Sequence, residues 1–119
     1  MPATPSAPGR TRAEVRRLML SGASSLETSE RLLPKMQHES LLAMLEMLRP
    51  PCEESPSLPF PALVLGGAED VIVPPELVRR TADWLSAEVR IVPAMGHSMM
   101  LEDGWPAAAE FISQWLAHM

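Results

Sequence analysis

Asp70 and His97 are the two residues whose types and spacing suit acid–base chemistry. Asp70 lies in "GGAEDVIVPP", just past an apolar run, and His97 lies in "PAMGHSMM", just after a second apolar stretch. A carboxylate that accepts a hydrogen bond from one imidazole nitrogen fixes the tautomer, so that the other nitrogen can act as a base. They are 27 residues apart, which suits one helix and one strand between them. Taken singly, each has a plainer explanation. Aspartate is favoured in a turn ahead of a proline-led helix such as the one after Pro74 and Pro75, and a loop histidine can simply be hydrogen-bonded in place. Only their joint placement after two strands points to chemistry.

The elements that must position them are legible in the second half. "PALVLGG" (61–67) is a short continuous apolar run closed by two glycines, the pattern of a strand buried on both faces. "PPELVRRTADWLSA" (74–87) is helical, with Pro75 in its first turn and Leu77, Val78, Thr81, Trp84 and Leu85 on one face. "EVRIVP" (88–93) is a second strand. "GWPAAAEFISQWLAHM" (104–119) is a last helix with Trp105, Ala108, Phe111, Ile112 and Trp115 inward. The order strand, helix, strand, helix predicts an α/β fold with two parallel strands and a right-handed crossover. Both loops then fall at the carboxyl ends of adjacent strands, where open α/β sheets place their sites.

The first half reads differently. Residues 1–9 hold three prolines and little to bury, and are expected to be disordered. Residues 10–50 predict three helices: "TRAEVRRLML", "SSLETSERLL" ahead of Pro34, and "ESLLAMLEMLR". In the last, Leu41, Leu42, Leu45 and Leu48 recur at helical spacing, with a cap at or before Ser40. Five prolines between 50 and 61 mark a linker, placed at 51–60, and leave 61–119 as the core segment.

Composition narrows the function classes. The chain has 119 residues, is 46% hydrophobic and 21% charged, and carries a net charge of −5, which argues against nucleic acid as a partner. The arginines at 10, 12, 16 and 17 form the only basic cluster, and a solvated helix face accounts for them as well as a partner does. One cysteine, Cys52, excludes an internal disulfide and fits a reducing compartment. No apolar run approaches the roughly 18 residues of a membrane span, and "MPATPSAPGR" lacks the apolar centre of a secretory signal. A cytoplasmic location is expected.

The strings "PALVLGGAEDVIVPPELVRRTADWL" and "AEVRIVPAMGHSMMLEDGWPAAAEFISQWL" together resemble the C-terminal end of an α/β-hydrolase-fold protein over residues 58–118. In that family an aspartate follows the penultimate core strand in a "GxxD" pattern running into "VP", as at Asp70. A histidine follows the last strand within "GH", as at His97. The family orders its triad nucleophile, acid, histidine. "GHSMMLEDGW" is similar to lysophospholipase- or lipase-like members, with Ser98 where those carry aspartate. The resemblance implies that residues 10–50 are the tail of a helical cap.

It also implies a serine in "GxSxG", and no such string occurs; "SGASSLE" is the nearest, with one glycine and no strand before it. The expected function is therefore that of a partial hydrolase. Asp70 and His97 would serve hydrolysis of a small or lipid-like ester once a nucleophile half is present, and the 119 residues alone would be inactive. The alternative is a non-catalytic interaction module or degenerate pseudoenzyme that pairs through an exposed sheet edge. Expected partners are the ester substrate, and another copy of the chain or a complementing N-terminal half. Alone, the chain is expected to be oligomeric or aggregation-prone.

No cofactor or metal is expected. Met95, Met99 and Met100 suit packing or an apolar pocket better than a soft-metal site. Cys52, beside Glu53 and Glu54, is a poor thiolate nucleophile. Trp84, Trp105 and Trp115 are expected in helix–sheet packing, and Glu102 and Asp103 at the N-terminus of the last helix, where negative charge is favoured.

Overall fold

A computed structural model describes residues 12–36, 40–49 and 54–119. The expected disordered segment 1–9, the start of the linker and Cys52 lie outside them. The elements are α1 (Arg12–Met19), α2 (Leu26–Leu32) running into a 3₁₀ turn (Leu33–Lys35), α3 (Leu41–Met47), β1 (Leu63–Gly67), α4 (Pro75–Leu85), β2 (Glu88–Val92), a 3₁₀ turn (Met99–Leu101) and α5 (Trp105–Ala117). The fold class is α/β. β1 and β2 pair in parallel from Leu63 opposite Glu88 to Gly67 opposite Val92, with α4 as the crossover.

Local chemistry explains the element ends. Pro75 opens α4, where its missing N–H is not needed. Ser86 closes it in the left-handed region at φ 52°, its N–H bonded back to Ala82 and Asp83. Ser40 caps α3 by accepting a hydrogen bond from the Ala43 N–H at 3.3 Å.

Packing is thinner than the sequence pattern predicts. Val92, Met95 and Ala108 are buried together, with Leu65, Met99 and Phe111 against them. On the other side of the sheet α4 buries Val78 and Ala82, while Leu77 and Thr81, expected inward, are exposed. In α5 only Ala108 is fully buried; Phe111 and Trp115 are half-buried, and Trp105 and Ile112, also expected inward, are exposed. Two strands are narrower than the apolar faces of the helices that flank them. For the same reason Leu63, Val64 and Leu65 are half-buried rather than enclosed on both faces. α3 forms as expected, yet Leu42, Leu45, Met47 and Leu48 all stand exposed.

One close approach fixes where the two loops meet. A Cβ on Gly67 would lie 2.4 Å from the Met95 carbonyl oxygen and 2.7 Å from that of Gly96. The chain after β2 therefore lies directly on the end of β1, and only glycine leaves it room. Gly67→Ala is expected to cost about 1–3 kcal/mol, lowering the thermal midpoint by several degrees; an unchanged midpoint would show that the two backbones do not touch there.

Candidate functional site

The turn after β1 is laced to the turn after β2. Ala68 N–H donates to the Val92 carbonyl at 2.9 Å, and Glu69 N–H donates to the Met95 carbonyl at 2.8 Å. Asp70 N–H donates back to the Gly67 carbonyl at 3.3 Å. The pairing of the strands thus continues past their ends and brings Asp70 beside His97.

The Asp70 carboxylate is nearly covered, and both of its oxygens are engaged. Oδ1 accepts the N–H groups of Ile72 and Val73, each at 2.9 Å. Oδ2 lies 3.0 Å from His97 Nδ1. An ionised carboxylate only accepts, so this contact puts the neutral ring's proton on Nδ1 and leaves Nε2 as the basic nitrogen. The His97 side chain is 34% exposed while that of Asp70 is 6% exposed, so the carboxylate is inside and the imidazole faces outward. Among the described residues Nε2 has no hydrogen-bond partner. Asp70 also does what the plainer explanation proposed, since its Oδ1 organises the turn ahead of α4. The two roles use different oxygens.

His97 is fixed from both flanks. Gly96 N–H donates to Glu102 Oε1 at 2.7 Å, and Ser98 N–H donates to the Met19 carbonyl at 2.8 Å. A Cβ on Gly96 would stand 2.6 Å from the backbone of Leu20 and Ser21, which explains a glycine immediately before the histidine.

Glu102 and Asp103 do not cap α5. Its N-cap is Gly104, with no side-chain cap bond. Both carboxylates reach instead across the fold to the turn between α1 and α2. Glu102, 2% exposed, accepts from Ser21 N–H and Oγ and from Ser24 Oγ as well as from Gly96. Asp103 accepts from the Ser25 N–H at 2.8 Å and from Thr28 Oγ1. The hydrogen bonds from Thr28 and then Ser25 lower its carboxyl pKa below the usual 3.8. The serines of "SGASSLE" are thus anchors: Ser21 and Ser24 are buried against Glu102, and no serine hydroxyl bonds His97 among the described residues. The sequence signal was a run of small hydroxyl residues that had to find acceptors once buried.

The methionines separate. Met95 is buried in the core, Met99 is half-buried and Met100 is exposed. Met100, Leu101 and Trp105 line a groove with Leu32, Arg31 and Lys35. No group of three or more His, Cys, Asp or Glu side chains is placed to hold a metal ion among the described residues, and no helix there is long and apolar enough to cross a membrane.

No protein-family model, curated protein or solved structure matches the chain.

A carboxyl whose folded pKa is lowered contributes stability that is present above its unfolded value and is lost as pH falls through the folded one. The Asp103 tie is therefore expected to hold above pH 3.8 and to release below it. Intrinsic-rate-corrected hydrogen exchange at the Ser25 amide should show protection at about pH 5 that fades toward about pH 2. Protection independent of pH over that window would show that Asp103 is not its acceptor.

Proposed function

We propose that the chain is the carboxy-terminal part of an α/β-hydrolase in which Asp70 and His97 are the acid and base of a serine triad. The observation that carries this reading is the 3.0 Å contact between Asp70 Oδ2 and His97 Nδ1 at the carboxyl ends of two adjacent parallel strands, with Nε2 left unpartnered among the described residues. The attacking serine belongs to residues outside these 119, since no "GxSxG" occurs within them.

The chemistry then runs in two halves. His97 Nε2 takes the serine Oγ proton as Oγ bonds to the acyl carbon of the ester, and the buried Asp70 carboxylate stabilises the resulting imidazolium. The imidazolium gives that proton to the departing alkoxide, leaving an acyl-enzyme. Nε2 next deprotonates a water that attacks the acyl carbon, and returns the proton to serine Oγ as the carboxylic acid leaves. Helices α1–α3 would belong to a cap over this site. The exposed apolar side chains of Met100, Leu101 and Trp105, close in sequence to His97, favour an ester with an apolar acyl group.

Completed by a segment carrying "GxSxG", the chain is expected to hydrolyse p-nitrophenyl acyl esters. His97→Ala and Asp70→Asn should each lower kcat by about 10³–10⁴-fold. Wild-type turnover in either variant removes that residue from the triad. The 119 residues by themselves should not react with a fluorophosphonate; serine labelling that disappears in His97→Ala would place the nucleophile inside them.

The open edge of β1 favours a second reading, that of a non-catalytic module that pairs through its sheet. Among the described residues β1 hydrogen-bonds a neighbouring strand on one side only, and such an edge is a template for another strand. On this reading sedimentation shows self-association that Val64→Pro weakens. A monomer at all concentrations would count against it.

A further inference from the structure

The α1–α2 turn touches both loops of the candidate site. Gly22 N–H donates to Glu69 Oε2 at 2.9 Å, next to Asp70. Glu102 joins the same turn to the histidine loop. Its Oε1 accepts from the Ser21 and Gly96 N–H groups, both at 2.7 Å, and its Oε2 accepts from Ser21 Oγ at 2.6 Å and Ser24 Oγ at 3.0 Å. All four partners are donors, the complement that an ionised carboxylate takes. Arg16 adds a further tie by donating from Nη2 to the Ser24 carbonyl at 2.6 Å. The carboxyl end of α1 completes the clasp where Met19 accepts the Ser98 N–H.

We propose that Glu102 is a positioning residue for His97: it clamps the α1–α2 turn onto the backbone beside the histidine, so that the imidazole meets Asp70 only while that turn is docked. This rests on the reading of Asp70 and His97 as an acid–base pair. The carboxylate touches no reacting atom. It acts through the peptide N–H of Gly96, one residue from the imidazole, while Ser98 on the other side is held by α1 itself. Undocking the α1–α2 segment releases both flanks together, and the ring then has only the Asp70 contact to orient it. The site is thereby tied to the state of the helices that the proposed function assigns to the cap.

The imidazole ¹⁵N shifts of His97 at neutral pH read the tautomer directly. The wild-type chain is expected to hold the proton on Nδ1. Glu102→Ala should give a tautomer-averaged ring and lose about tenfold or more of the protection of the Gly96 amide against exchange, while the β1 and β2 amides stay protected. Glu102→Gln, which keeps an acceptor for both backbone N–H groups, should retain the wild-type ring signature. A wild-type tautomer in Glu102→Ala, or equal loss in the alanine and glutamine variants, overturns the proposal and leaves the acid–base reading standing. Should Glu102→Ala not fold, Ser21→Ala with Ser24→Ala removes the Oε2 donors, and with them the Ala23 N–H bond to Ser21 Oγ, while both Oε1 donors stay. Partial averaging is expected there, and none overturns the proposal. A wild-type ring without the Nδ1 proton instead overturns the acid–base reading itself, whatever the Glu102 variants do.

Discussion

Parallel pairing of β1 with β2 is the constraint on which the rest of the structure depends. Two parallel strands must be joined by a crossover, and α4 supplies it. Parallel strands also end on the same edge of the sheet, so the turns that follow them are neighbours. The ladder runs one step further than the strands, through Ala68 to Val92 and Glu69 to Met95. That extra step brings a carboxylate and an imidazole 27 residues apart into a 3.0 Å contact. Antiparallel pairing of the same segments would send Asp70 and His97 to opposite ends.

Much of this was legible in the sequence because it is local. The apolar run 61–67 and the "EVRIVP" stretch are the strands, and the proline-led segment between them is the crossover helix. Asp70 and His97 follow from their offsets after those strands. What escaped sequence reading is nonlocal. Glu102 and Asp103 look like ordinary acids ahead of a helix, and their partners lie 78 and 81 residues away among small serines. Nothing in a helical period announces such a pairing. The inward faces of α4 and α5 were overdrawn for a different reason: periodicity reports which side of a helix is apolar, whereas burial also requires a surface wide enough to receive it.

These two outcomes are connected. With a sheet of two strands among the described residues, the apolar core is small, and side chains such as Leu42, Leu45, Ile112 and Leu116 remain in contact with water. Helices α1 and α2 are not held to the rest by a broad apolar face: neither buries an apolar side chain. The α1–α2 turn and the start of α2 are held by hydrogen bonds to carboxylates, and among the described residues the buried polar side chains (Ser21, Ser24, Thr28, Ser29, Asp70, Ser98, Glu102) outnumber the buried apolar ones. All buried side-chain polar atoms described have partners. A network of this kind contributes less net free energy than apolar burial of the same area, but it tolerates only one geometry.

That difference bears on what the site can do. Apolar surfaces can slide by small amounts at little cost, whereas a carboxylate with four directed donors cannot move without losing several of them together. The turn at Ser21–Ser24 is therefore held in a single position or released, and Gly96 with it. Asp70 is built on the same logic, its Oδ1 fixed by two backbone N–H groups so that Oδ2 has one direction left for His97. An acid–base pair gains from such rigidity, because proton transfer depends on the ring's orientation as much as on its basicity. In this chain the same kind of contact serves twice: the Asp70 carboxylate, closed by the nearby Ile72 and Val73 N–H groups, faces the imidazole, and the Glu102 carboxylate, closed by Ser21 and Gly96, attaches the α1–α2 turn beside it.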